Sequence, residues 1–246
     1  ELNIVTGMTI EQNSNNMRIN LLIKNTKEDS SIISMDGNNI ENILFKLDEQ
    51  SNKKIYLDHI NFIIVNSDII EKNIDELINF VVNKLNKSTS VDIYLGDTKD
   101  SKRILEILNI KEKVTISNEL NNINTSKTFK EIIFDTKYNN FIKDYKEEGI
   151  TPIINVLTIN DKELRIEKGA ILNSDNKLIL VNKKDFDVIT FLKGKTKEIS
   201  LELKCNNDNI SVTLEKSKIN YTVNYNENPI NINLNINLDY YPVYSV

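Results

Sequence analysis

The sequence is poor in the residues that build many catalytic and metal sites. Its 246 residues include one cysteine, Cys205, and one histidine, His59. A disulfide within the chain and a zinc site built from several Cys or His ligands are therefore excluded. A Ser-His-Asp hydrolase would have to use His59 as its base, and the sequence contains no G-x-S-x-G motif.

Glycine, proline and long apolar runs are also scarce. Six glycines and three prolines leave little room for phosphate-binding loops or proline-rich linkers. No apolar run approaches the roughly 20 residues that a membrane span requires. The sequence begins at Glu1 without methionine, so we expect a mature product or a segment that lacks its targeting sequence.

The charge balance narrows the classes of partner. The formal net charge of −5 argues against a nucleic-acid-binding protein, which would usually present a basic face. It argues more weakly against electrostatic binding to a membrane. Since 39% of the residues are hydrophobic, the chain has enough apolar material for more than one folded core.

Residues 1–120 carry the pattern of an N-terminal α/β domain. "ELNIVTGMTIEQ" and "NNMRINLLIKNT" predict two antiparallel strands, and "KEDSSIISMDG" a polar connector. "NNIENILFKLDEQSN" predicts a helix that begins near Asn38 or Asn39, and "INFIIVN" a buried strand. One apolar stripe then predicts a long helix, with N-cap candidates at residues 66–68 and Glu71 closing a capping box with Asp68. "SVDIYLGDT" and "KDSKRILEILN" predict a further strand and helix. The stripe consists of Ile70, Ile74, Leu77, Ile78, Val81 and Leu85.

Residues 121–196 predict a second, smaller α+β domain. Two apolar clusters, around residues 129–133 and 138–145, predict one long helix or two short ones that end at Gly149. "ITPIINVLTI", "ELRIEKGAILN" and "KLILVN" predict strands, and "KKDFDVITFLKG" predicts a helix that ends at Gly194. Residues 197–246 alternate between polar and apolar side chains, which predicts the strand-rich start of a third domain, incomplete or naturally short. The predicted class is therefore α+β, with small mixed or antiparallel sheets in series and helices covering them.

No group of residues amounts to a catalytic, cofactor or metal site. His59 could be a catalytic base, a metal ligand or a structural residue whose ring bonds a backbone group at the entry to a strand; we favour the third interpretation. Cys205 lies in a strand pattern without a cationic setting, which favours an inert thiol. The acidic pairs Glu147–Glu148 and Asp185–Asp187 are typical of solvated helix faces.

Four segments, taken in order, resemble the C subunits of bacterial spore germinant receptors, the Ger(x)C lipoprotein family. They are "LNIVTGMTIE", "KKIYLDHINFIIVNSDIIEKNIDELINFVV", "FIKDYKEEGITPIINVLTI" and "LRIEKGAILNSDNKLILVNKKDFDVITFLKGK". The Tyr-Leu-x-His block with His59 is the most specific. The sequence departs from the family pattern at Asp58, where glycine is usual, and at Lys53–Lys54, where arginine precedes the tyrosine.

The resemblance implies a lipoprotein without catalytic activity. A lipidated, palmitate-bearing cysteine upstream of Glu1 would anchor it to the outer, extracytoplasmic face of the spore inner membrane. Its partners would be the membrane-embedded A and B subunits of a nutrient receptor that acts in germination of the spore. The family also continues into a fuller third domain than residues 197–246 supply.

Three functions stay open from the residues alone. The first is a receptor subunit that acts by protein–protein contact, and the second is a lipoprotein that binds a small nutrient and presents it to the complex. A nutrient-induced rise in melting temperature would favour the second. The third is a hydrolase built on carboxylates, for which no motif is present. The expected contact surface is the final sheet, where tyrosines are frequent; packing inside a complete third domain is the competing explanation. These tyrosines are Tyr221, Tyr225, Tyr240 and Tyr241.

Overall fold

The computed structural model describes residues 2–13, 15–24, 30–85, 91–97, 101–110, 137–160, 163–192, 198–205, 208–224, 229 and 231–243. Twelve strands and six helices are found within these residues. The strands are β1 Leu2–Asn13, β2 Asn16–Lys24, β3 Ser30–Gly37, β4 Lys54–Tyr56, β5 Phe62–Val65, β6 Asp92–Gly96, β7 Ile153–Asn160, β8 Glu163–Leu172, β9 Leu178–Val181, β10 Glu198–Cys205, β11 Asp208–Asn224 and β12 Asn231–Val243. The helices are α1 Ile40–Gln50, α2 Ser67–Lys72, α3 Ile74–Lys84, α4 Lys102–Ile110, α5 Tyr138–Lys146 and α6 Lys183–Leu192.

The first compact unit contains β1 to β9 and α1 to α5. Its nine strands form one mixed sheet in the order β3-β2-β1-β5-β6-β7-β8-β9, and the short β4 also pairs with β1. The central strands β1, β5, β6 and β7 run parallel, whereas the strands at both ends of the order pair antiparallel. β5 is a continuous apolar run, and β6 and β7 are mostly apolar, as a sheet covered on both faces requires.

Helices cover both faces of this sheet. Apolar residues of α1, α2, α3 and α5 pack with Met8 and Ile10 of β1 in one buried cluster. Because successive strand residues point to opposite faces, the intervening Thr9 and Glu11 lie on the other side. There Glu11 meets the start of α4, whose Ile104 and other apolar residues are buried.

The apolar stripe predicted for the long helix is fully confirmed, because every one of its residues is buried. The helix itself is interrupted at Asn73, whose backbone leaves the helical region with φ −131° and ψ 24°. Asn66 is the N-cap of α2 and accepts a hydrogen bond from the backbone of Ile69. The predicted capping box is wrong, since the Glu71 carboxylate accepts from the Leu178 backbone at 2.8 Å instead.

The prediction of a polar connector at residues 27–37 is wrong for its described part, because residues 30–37 form the edge strand β3. Serine and aspartate favour turns, but register with β2 decides the outcome here. Ile33 and Met35 pack against the core. Arg18 of β2 forms a two-pronged ion pair with Asp36, at 2.6 and 2.8 Å, which holds the pKa of Asp36 below its usual value.

The other predicted elements are confirmed where the structure describes them. Asn39 caps α1 by accepting from the Asn42 backbone at 2.8 Å. Helix α5 ends at Lys146, and Gly149 follows in a turn with φ +79°, a conformation that suits glycine. The apolar cluster near residues 129–133, the boundary near residue 120 and the helix end at Gly194 lie outside the described residues.

The second compact unit contains α6 and the three-stranded antiparallel sheet β10-β11-β12. The α+β class and the long alternating strands are therefore confirmed. The strands predicted for a separate second domain instead extend the first sheet, because β7 pairs parallel with β6. A division of the chain into three independently folding domains stays a prediction.

Candidate interaction surfaces

The Tyr-Leu-x-His block forms a turn between β4 and β5. The backbone of Ile60 donates to the Leu57 carbonyl at 3.0 Å, which closes the turn. Asn61 then donates to the Thr6 carbonyl of β1 at 3.0 Å. Leu57 packs against the core, while His59 is exposed. The block therefore fixes where β5 enters the sheet.

His59 takes no part in the hydrogen bonds that fix this strand entry. Its ring centroid lies 5.6 Å from that of Tyr56, with the two rings tilted by 53°. The Tyr56 hydroxyl bonds to Asp58, which raises the pKa of Tyr56 above its usual value. The structural interpretation of His59 thus takes a different form from the expected ring-to-backbone bond: the backbone closes the turn, and the exposed imidazole adds to an aromatic surface.

A buried carboxylate, Glu11, was not singled out in the sequence. Its side chain is 2% exposed and accepts a hydrogen bond from the backbone of Ser101, directly before α4. An acceptor oxygen at this position satisfies a backbone N–H group at the start of the helix, which has no partner within the helix. Alternation in "MTIEQ" predicts that Glu11 points away from Met8 and Ile10, but only the second layer formed by α4 makes that direction an interior one.

We next considered metal ligands and membrane-spanning helices among the described residues. No group of three or more His, Cys, Asp or Glu side chains there is placed to hold a metal ion. Within the same residues, no helix is long and apolar enough to cross a bilayer.

The distal halves of β11 and β12 form a two-stranded ribbon. Among the described residues, β10 pairs with β11 only as far as Glu215, whereas β12 continues alongside to Asn224. Three pairs of directly opposite residues on the ribbon are apolar, and the pairs between them are polar. Since opposite residues share a face, one face carries six apolar side chains, which we call the ribbon stripe. The ribbon stripe consists of Ile219, Tyr221, Val223, Ile232, Leu234 and Ile236.

The ribbon stripe is open to solvent. Tyr221 is 68% exposed, Ile232 63%, and Leu234 45%. The opposite face is polar, with Asn220 opposite Asn235 and neighbouring threonine and asparagine pairs. An exposed, continuous apolar surface of this kind is a candidate contact site.

The predicted tyrosine surface is described only in part. Tyr221 lies in the ribbon stripe and is exposed. The backbone of Tyr240 pairs with Leu214, and that of Tyr241 with Thr213. Tyr225 lies outside the described residues, so a cluster of all four tyrosines stays a prediction. Sequence reasoning singled out the tyrosines of this sheet, but it did not single out the isoleucines and the leucine that make up most of the stripe.

Comparisons with known proteins agree with this architecture. The family described as "Spore germination protein N-terminal domain" matches residues 1–159. A solved structure, the GerBC protein, is similar with a TM-score of 0.54 and 12% identity, over 98% of this chain and 73% of that one. A search of curated proteins finds no match. At 12% identity the structural likeness shows the fold alone, whereas the family match covers well over half of the sequence; the chain therefore belongs to the spore germination protein family, that of the germinant receptor C subunits.

Proposed function

We propose that the chain is a non-enzymatic lipoprotein subunit of a nutrient germinant receptor and acts by protein–protein contact. It would be held at the outer face of the spore inner membrane by a lipidated cysteine upstream of Glu1. Its partners would be the membrane-embedded A and B subunits. Membership of the C-subunit family supports the role in germination.

The ribbon stripe is the observation that carries a contact function. A two-stranded ribbon gains little stability by itself, and its apolar face is poorly protected from water. Covering Tyr221, Ile232 and Leu234 with a partner would remove that apolar area from water, which favours association. The stripe lies on an exposed strand pair rather than in a concave pocket, so it suits a protein surface better than a small nutrient.

The contact is tested by making the stripe polar without disturbing the strand. The double variant Ile232→Thr/Leu234→Thr keeps β-forming side chains at two exposed positions, so folding should be little affected. We expect it to lose co-purification of the A and B subunits from spore membranes, and to slow nutrient-triggered germination. The measurement is the amount of each membrane subunit recovered with the tagged chain, together with the germination rate.

The opposite face of the same strand offers a matched control. Asn233→Thr/Asn235→Thr alters two neighbouring exposed positions that alternate with the stripe. This variant should recover both subunits at the wild-type level. Wild-type recovery and germination with the stripe variant, at normal melting temperature, would contradict a contact function for this face.

A further inference from the structure

A second surface lies at the amino end of β1, in the first compact unit. In the sheet register Leu2 is opposite Lys54, and Ile4 is opposite both Tyr56 and Lys24. Laterally paired residues share a face, so these five side chains form one surface, which we call the β1 entry face. The ring of His59 adjoins it through Tyr56.

The opposite side of the same strands is turned towards the helices. There Asn3 donates to the hydroxyl of Ser51, just after α1, at 2.7 Å, and Ile55 packs against the core. The β1 entry face is therefore the outer side at this point. Leu2 is 51% exposed, and Lys24, Lys54 and His59 are exposed as well.

The chemistry of the β1 entry face matches the boundary between water and a lipid bilayer. Tyrosine rings concentrate at that boundary, where the ring is in contact with acyl chains and the hydroxyl with water. Lysine stems can lie along an apolar surface while their ammonium groups meet anionic headgroups. Within the described part of the chain, neither Lys24 nor Lys54 forms an ion pair, so both charges are directed to solvent.

We propose that the β1 entry face lies against the surface of an anionic bilayer. This inference rests on the tether in the proposed function, because an anchor upstream of Glu1 would hold the start of β1 next to the membrane. The net charge of −5 opposes such binding over the whole chain. At the distances of a surface contact, however, local charge counts most, because salt screens charges beyond about 8–10 Å.

A single acyl chain supplies only marginal binding, so the contribution of two lysines is measurable on top of it. Each lysine near an anionic surface should raise the partition coefficient about fivefold. The probe is the full chain with one added amino-terminal glycine that bears a myristoyl group. Its partition is measured by flotation with vesicles of phosphatidylcholine, alone or mixed equally with phosphatidylglycerol.

We expect Lys24→Glu/Lys54→Glu to lower partition into the mixed vesicles at least tenfold and to leave partition into neutral vesicles within about twofold. Lys24→Gln/Lys54→Gln should fall between it and the wild type. The matched control is Lys143→Glu/Lys146→Glu, which makes the same change in net charge at two exposed positions of α5. This control should bind like the wild type, and melting curves should show every variant to be folded at the temperature of the assay.

Equal losses in the two charge-reversal variants would assign the effect to net charge and overturn the proposal, as would no loss in either. Unchanged vesicle binding combined with lost recovery of receptor subunits would show that the face contacts protein instead. The vesicles contain no receptor subunit. A negative result with vesicles therefore does not bear on the ribbon stripe, and a negative result with the ribbon stripe variant does not bear on vesicle binding.

Discussion

At the scale of single residues, Tyr138 shows how one side chain links a helix to its neighbour. Its ring is 1% exposed, and its hydroxyl donates to the backbone carbonyl of Ile78 in α3 at 3.2 Å. Burial raises the pKa of Tyr138 well above its usual value. The folded chain therefore holds this proton at pH values where the unfolded chain releases it.

Because the folded chain holds this proton more tightly, the free energy of unfolding depends on pH. Because the folded pKa of Tyr138 is raised, its contribution is complete below the unfolded pKa of about 10 and is lost as the pH rises above it. We expect Tyr138→Phe to cost about 1 kcal/mol at pH 8, from the lost hydrogen bond. That difference should shrink by up to about 1.4 kcal/mol per pH unit above pH 10. Urea unfolding at several pH values measures it.

Tyr221→Phe serves as the control, since Tyr221 is 68% exposed and its hydroxyl should contribute little to the free energy of unfolding at pH 8. Unfolding free energies of wild type and Tyr138→Phe that stay parallel from pH 8 to pH 11 would contradict the assignment.

At the scale of elements, α4 depends on a residue far away in sequence. Glu11 of β1 accepts from the backbone of Ser101 in a site that water does not reach. Glu11→Ala leaves that buried N–H group without its acceptor, which should lower the free energy of unfolding by about 1–3 kcal/mol. Glu11→Gln keeps an oxygen acceptor and should lose less. Urea denaturation measures all three proteins.

A comparison within α4 separates this effect from loss of charge alone. Glu106 is half exposed and pairs with Lys102 at 3.9 Å, so Glu106→Ala should cost less than about 1 kcal/mol. If Glu11→Ala lowers the free energy of unfolding no more than Glu106→Ala does, the hydrogen bond to Glu11 adds no stability beyond that of an exposed ion pair.

Elements whose apolar residues follow a clear helical repeat could be predicted from the sequence. Elements that depend on contacts with residues distant in sequence could not. The stripe from Ile70 to Leu85 follows the helical repeat, and each of its residues is buried. The break at Asn73 has no signal of that strength, and a hydrogen bond from Asn73 to Gln12 of β1 accompanies it at 3.3 Å. β3 was missed because its polar residues are tolerated on an edge strand once β2 supplies the pairing.

At the scale of the whole molecule, the sheet was harder to predict than the strands. The parallel pairing of β6 with β7 joins segments that are distant in sequence, and no local pattern reports such a partner. The family-specific block around His59 pointed to the right family. The ribbon stripe was anticipated only as a sheet with tyrosines, because its register sets which side chains share a face.

The same architecture predicts unequal protection of backbone amides. β5 is hydrogen-bonded on both sides and fully buried, so the amides of Ile63 and Ile64 should exchange with solvent only on global unfolding of the first unit. Thr222 and Asn233 lie in the exposed ribbon and should exchange orders of magnitude faster. Hydrogen–deuterium exchange followed by mass spectrometry measures both. Comparable protection in free protein would show that the ribbon is covered already.

The pairing partners of β1 are synthesised at different times. One edge of β1 meets β2 almost at once, through a short connection, but its other edge needs β4 and β5, where Gly7 lies opposite Phe62. A nascent chain therefore has an unpaired edge on β1 until Phe62 and its neighbours have been synthesised. During that interval the unpaired edge can pair with strands of other chains, which favours aggregation.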